Sequence, residues 1–199
     1  MGVPSCFLSL WAAVALAFLS SAAFAEVQRF RLNPDQSRIV TRVNDPFGNA
    51  VEGTLRLREG EARGDIDRLP ESAFVSLVID AASYNSGLGV RDQDVQQNYL
   101  DVQRHPVIRL ESGAIEKVEK PGSPGAPWLV TVKARLELHG VRRELIVPVR
   151  LFYEKDRIIA QGSFRFLLED FEIAVPRLLF LRAGNEVQVE FRIVGDRQS

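Results

Sequence analysis

The chain has 199 residues, with 25 Lys+Arg against 26 Asp+Glu for a net charge of −1, and 46% of it is hydrophobic; that is enough for one well-filled core. The charge balance gives no electrostatic case for nucleic acid or an anionic membrane as partner, because phosphate binding needs a surplus of Lys and Arg. One cysteine excludes an internal disulfide or a cysteine-based zinc site, and two histidines leave little material for a metal cluster.

Residues 1–25 carry no charged side chain, and an apolar run from Phe7 to Leu19 leads to Ala23-Phe24-Ala25. The run is short for a membrane span. With the A-x-A after it, the segment reads as a secretory signal peptide cleaved after Ala25, which predicts a periplasmic protein with no transmembrane segment after cleavage. Residues 26–199 show no repeat, linker or composition shift and are expected to form one domain. Cleavage would also remove Met1 and Cys6, leaving neither residue type in the mature chain. Such a domain must stand on its apolar core, without the disulfides common in exported proteins.

Alternation with a period of two dominates the rest of the chain and predicts strands. The first five are expected at 27–32, 38–43, 51–57, 74–81 and 107–116. Turn formers lie between them: Asn33-Pro34-Asp35, Asp45-Pro46-Phe47-Gly48, and Gly60 with Gly64. From Gly87 to Val102 the acids and carboxamides are poor strand material, while Val95 and Tyr99 stand four apart. A short amphipathic helix is expected there, with Asp92 near its N-terminus. After the Pro121–Gly125 loop comes the cleanest strand, 128–138, with Trp128, Val130, Val132, Ala134, Leu136 and Leu138 on one side. His139-Gly140 turns it into Leu145, Val147, Val149, Leu151 and Tyr153, an antiparallel hairpin in which Pro148 marks an edge or bulge. Ile158–Phe166 and Val187–Ile193 alternate in the same way, and 171–181, interrupted by Pro176, is ambiguous.

Eight or more antiparallel strands with a single short helix define an all-β chain, a closed barrel or a sandwich. A barrel of about eight strands is wide enough for one small ligand. Ala134, Ala160 and Gly162 are small residues facing inward; either the interior is incompletely filled, or they oppose bulky Phe residues in a packed core.

Signs of catalysis are absent from the sequence. No G-x-S-x-G elbow occurs. Gly87-Leu88-Gly89 has Asp92 where a dinucleotide fingerprint needs glycine. Glu169, Asp170 and Glu172 cluster in a turn and read as a solvated loop. His105 before a proline and His139 in a hairpin turn read as separate surface or capping residues, so no metal site, cofactor or enzymatic activity is expected. Arg91-Asp92 is read first as structural, Asp92 capping the helix while Arg91 pairs with an acid; the functional alternative puts Arg91 at the barrel mouth against a ligand headgroup.

Several segments together resemble one family, the YceI-like exported bacterial proteins. They are Leu32-Asn33-Pro34-Asp35, Phe47-Gly48, Val78-Ile79-Asp80-Ala81, Arg91-Asp92, Tyr99-Leu100-Asp101-Val102, His105-Pro106-Val107-Ile108, Leu136-Glu137-Leu138-His139-Gly140-Val141 and Asp170-Phe171-Glu172-Ile173. The chain departs from the family pattern in Val43-Asn44-Asp45-Pro46 and in Arg91-Asp92-Gln93-Asp94-Val95, each of which lacks the family's usual histidine, and at Leu110 and Glu172. The resemblance implies an extended, lipocalin-like antiparallel β-barrel, periplasmic residence, and binding of an isoprenoid-type lipid such as a polyprenyl chain or a quinone tail.

An apolar tunnel suffices for such a ligand, because burial of its surface is worth roughly 25 cal/mol per Å² without directed hydrogen bonds. The inward faces supply Leu77, Ile79, Val132, Leu136, Val149, Phe164, Phe166 and Phe191 as expected lining residues. The competing reading is an envelope interaction module, a filled barrel with an exposed apolar patch at Val175, Leu178, Leu179, Phe180 and Leu181, homodimerisation being one form of it.

Overall fold

The computed structural model describes residues 27–198; the predicted signal segment lies outside them. Strands β1 (Gln28–Leu32), β2 (Arg38–Asn44), β3 (Ala50–Gly64), β4 (Phe74–Asn85), β5 (Val107–Glu119), β6 (Trp128–Leu138), β7 (Val141–Glu154) and β8 (Arg157–Leu167) precede a two-strand ribbon, β9 (Arg177–Leu178) with β10 (Leu181–Arg182), and a last strand, β11 (Glu186–Arg197). From β2 to β8 each strand pairs antiparallel with the next, as hairpin-linked alternating segments must. β11 pairs with β2 on one side (Phe191↔Ile39) and β8 on the other (Val189↔Phe164), which closes the ring.

β1 and β2 occupy one place in that ring. β1 lies between the ends of β11 and β3 (Phe30↔Arg197, Arg29↔Arg63), and β2 between their other halves (Ile39↔Phe191, Ile39↔Leu55). The break between them is the predicted Asn33-Pro34-Asp35 turn. Asn33 Oδ1 accepts from the amides of Asp35 at 3.1 Å and Gln36 at 3.2 Å, and Ser37 Oγ accepts from Val194 N at 3.1 Å, pinning the turn to β11. The product is a closed antiparallel barrel of eight strand positions.

Three expectations need correction. β3 does not end at residue 57: a bulge between Leu57 and Glu59 carries the strand on, and Gly60 pairs with Leu77 inside it. The glycine serves close packing, since a Cβ there would lie 2.7 Å from Ser76 O and 2.8 Å from Leu32 Cδ1. Second, there are two short helices. Beside α2 (Gly89–Asp94), which continues as a wider turn over Val95–Tyr99, a one-turn α1 (Leu69–Ser72) buries Leu69 after a 3₁₀ turn in which Asp65 accepts from Asp67 N. Third, Asp92 does not cap the helix amides. Its carboxylate accepts from Ser86 N at 2.8 Å and from Ser86 Oγ, tying down the preceding loop.

Pro148 sits inside β7 opposite Thr131, and the ladder to β8 begins one residue later at Val149↔Gly162. A residue without an amide donor thus stands where β7 gains its second neighbour.

Candidate functional site

Period-two alternation sends one set of apolar side chains inward from every strand, and they do not meet in the middle. They enclose a cavity of ≈ 460 Å³ running along the barrel, within the usual range for small-molecule sites. The eight residues expected from the sequence (Leu77, Ile79, Val132, Leu136, Val149, Phe164, Phe166 and Phe191) all line it. Five of them, Val132, Val149 and the three Phe residues, face inward yet remain only half-buried, because they border open space rather than other side chains. The barrel is therefore not filled, and the filled-barrel reading falls.

The small inward residues divide. Ala160 lines the cavity. Gly162 is opposite Phe191, where a Cβ would lie 2.7 Å from Phe191 Cζ and 2.3 Å from Pro148 O, so here the packed reading is right. Phe191 is thereby seated on β8, where Phe164, Phe166 and Phe191 make an aromatic wall with ring centroids 6.4–6.5 Å apart. Phe171, fully buried, backs this wall edge-on to Phe166 at 5.2 Å.

Apart from Thr41 in the middle of β2, polar lining lies at the barrel's ends. At one end are Arg63, Ser112 and Tyr153, near α1. At the other, the α2 end, Asn44, Asp45, Tyr84, Arg91, Asp94 and Tyr99 border the cavity, and Asn44 and Asp94 are exposed. Arg91 Nε donates to Ser86 Oγ at 2.7 Å and Nη2 to Ser86 O at 3.2 Å. The expected acid partner is not what holds it: the guanidinium is fixed by Ser86 and makes no salt bridge among the described residues. Burial pushes the Tyr84 hydroxyl above its ordinary pKa, so it stays a neutral donor beside Arg91.

The α2 end also collects exposed apolar side chains, with Phe47 on the β2–β3 turn and Leu88 and Val90 at the start of α2. Leu179 (88% exposed, φ +55°) and Phe180 (90% exposed) form the tip of the β9–β10 ribbon. The patch expected at 175–181 is narrower than the sequence suggests. Val175 is buried and Leu181 half-buried, leaving Leu178, Leu179 and Phe180 outward. No helix among the described residues is long and apolar enough to cross a membrane.

His105 and His139, read singly in the sequence, are brought together at this same end. Their rings are 5.1 Å apart, both are half-buried, and Asp101 joins them. The signal that locates this pair is register. β5 and β6 are antiparallel neighbours with Arg109↔Glu137, so the residue before Pro106 must lie against the turn that follows Leu138.

The cavity and the closed antiparallel ring define a hollow β-barrel, and comparison with known proteins gives its lineage. The sequence matches the family model for the YceI-like domain over residues 30–195, and the chain belongs to that family. Among solved structures it resembles Burkholderia cenocepacia BcnA (18% identity, 82% of this chain and 98% of that one, TM-score 0.66). A polyisoprenoid-binding domain from Saccharophagus degradans, implicated in plant cell wall breakdown, matches at 18% identity over 85% of this chain and 98% of that one, with TM-score 0.66. The Campylobacter jejuni YCEI protein matches at 16% identity over 75% and 86%, with TM-score 0.54. No curated protein matches the sequence.

Proposed function

We propose that the protein binds and carries an isoprenoid-type lipid, a polyprenyl chain or the tail of a quinone, in its barrel cavity. The observation that carries this reading is the cavity wall, aliphatic and phenylalanine side chains along its length with the polar groups concentrated at the ends. A long apolar chain needs such a tube and no reactive group; burying it is worth roughly 25 cal/mol per Å² before ordering costs. The polyisoprenoid-binding neighbour supports the choice of ligand class. Cavity residues Val132, Val149, Phe164 and Phe191 would hold the chain. Arg91, whose guanidinium is held by Ser86 and left without a carboxylate, would meet the polar head at the α2 end.

The same reading makes residues 1–25 an export signal, residues 26–199 the mature domain, and the periplasm its compartment. The activity is binding, with no chemical step and no cofactor. The test is native mass spectrometry of protein purified from its own cell envelope, followed by titration with polyprenols and quinones. Retained lipid of isoprenoid mass and saturable uptake are expected. Empty protein that takes up neither ligand would overturn the proposal.

A further inference from the structure

We propose that Asp101, His105 and His139 form a binding site for a divalent transition-metal ion of the zinc type. The site rests on a local geometry separate from the cavity, whose lining includes none of the three.

Asp101 starts a tight turn in the left-handed region (φ +46°), and its carbonyl accepts from Arg104 N at 3.0 Å and His105 N at 2.8 Å. The turn brings the side chains of Asp101 and His105, four apart, to one side, and Pro106 fixes the chain just beyond. The second histidine comes from the two-residue turn between β6 and β7, where His139 (φ +53°) and Gly140 (φ +78°) take the paired positive φ of a tight hairpin. Gly140 has a second use. A Cβ there would lie 2.7 Å from His105 Cε1, so only glycine lets the His105 ring rest on this turn.

One ligand atom from each of the three side chains falls within 4.8 Å of the others. Donors around a tetrahedral zinc ion stand about 3.4 Å apart, given metal–ligand distances near 2.1 Å. Closure therefore needs the donor atoms to approach one another by at most about 1.4 Å.

His139 already has an outer hydrogen-bond partner. Its Nδ1 lies 3.2 Å from the carbonyl oxygen of Phe171. A carbonyl only accepts, so Nδ1 carries the proton and Nε2 presents its lone pair, the arrangement by which metal-binding histidines are held. Two imidazoles and one carboxylate suit zinc, cobalt, nickel or copper ions rather than calcium or magnesium, and a water would complete the fourth position. The competitor is Arg104, which pairs with Asp101 but is 75% exposed, so its contact is cheap to break. A bound ion would fasten the α2–β5 connection to the β6–β7 turn and, through His139, to the segment of Phe171.

Zinc titration of chelator-stripped full-length protein by calorimetry, with the visible spectrum of the cobalt-loaded form, tests the site. One ion per chain and a raised thermal midpoint are expected. His105→Gln should weaken binding at least tenfold and abolish the thermal shift, whereas Arg104→Ala should tighten binding several-fold by freeing Asp101. Lipid uptake should be unaltered in both variants. His105→Gln is the deciding variant, because His139 also holds the Phe171 carbonyl and its replacement disturbs the fold. No saturable site, or a His105→Gln protein that binds zinc as tightly as the parent, would overturn the assignment.

Discussion

The ring of Tyr84 lies across the bare α-carbon of Gly53: a Cβ at that position would stand 2.3 Å from Tyr84 Cε2 and 2.7 Å from its hydroxyl oxygen. Gly53 is at the start of β3 opposite Thr41, and Tyr84 near the end of β4 borders the cavity beside Arg91. An ordinary strand glycine is improved by alanine by roughly 0.5–1 kcal/mol. Here the buried ring must move, which costs about 1–3 kcal/mol. Gly53→Ala is therefore expected to destabilise the barrel in urea unfolding. In a Tyr84→Ala background the same change should be neutral or stabilising, and a double-mutant cycle measures the coupling.

Ala160 borders the cavity from β8 and is opposite Leu151 and Ile193 on its two neighbours. Ala160→Phe should put a ring into open space, with a smaller stability loss than the 1–3 kcal/mol usual for overpacking a filled core. Lipid uptake should fall severalfold or more. Equal uptake by parent and variant, measured by native mass spectrometry, would move the ligand out of the barrel.

Leu179 combines near-complete exposure with a left-handed backbone, two features that leucine normally avoids. Leu179→Asp should leave stability within about 0.5 kcal/mol or raise it, since aspartate tolerates that conformation better. If the apolar rim admits lipid, uptake from vesicles slows while oligomeric state is unchanged. A change of oligomeric state with normal uptake, seen by light scattering, would instead favour an interface between protein chains.

Asp196 titrates below the usual carboxylate range because the Asn33 side-chain amide donates to it, with Arg157 adding a second hydrogen bond and its charge. A carboxyl depressed in the folded state stabilises above its unfolded pKa, near 3.8, and loses that contribution as pH falls through the folded value. Asp196→Asn should lower the urea midpoint at neutral pH, and the gap to the parent should narrow as pH falls below 3.8. A gap independent of pH would show that shape rather than charge is what matters at this site.

Much of the barrel can be read from alternation alone, because each strand has one face inward and a one-residue slip would turn its whole apolar set outward. The β6–β7 hairpin agrees with its sequence pattern to the residue, from Trp128 through the His139-Gly140 turn. β3 was harder, since a glycine that ends one strand is indistinguishable from one that lets a neighbour come close, and Gly60 is the second kind. The lining positions were legible for the same reason as the strands. Whether they bound a void or a packed core was not, because that depends on how Ala160 and Gly162 are met from across the sheet. The meeting of Asp101, His105 and His139 depends on strand register and on two left-handed turns, none of which any single residue announces.

The ring is sealed by β11, the most C-terminal of the strands, which alone joins β8 to the place shared by β1 and β2. As the polypeptide emerges from the ribosome, every other strand is finished before this one exists. Until then the strands make at most an open sheet whose two margins, β1 with β2 on one side and β8 on the other, lack their outer partner and are prone to mispairing. Pairing between such distant parts of the chain is slow to form. On the proposed function, a ligand can be enclosed only once these twelve residues have docked, so loading would follow synthesis, and loss of this strand would abolish the container itself rather than merely weaken its grip.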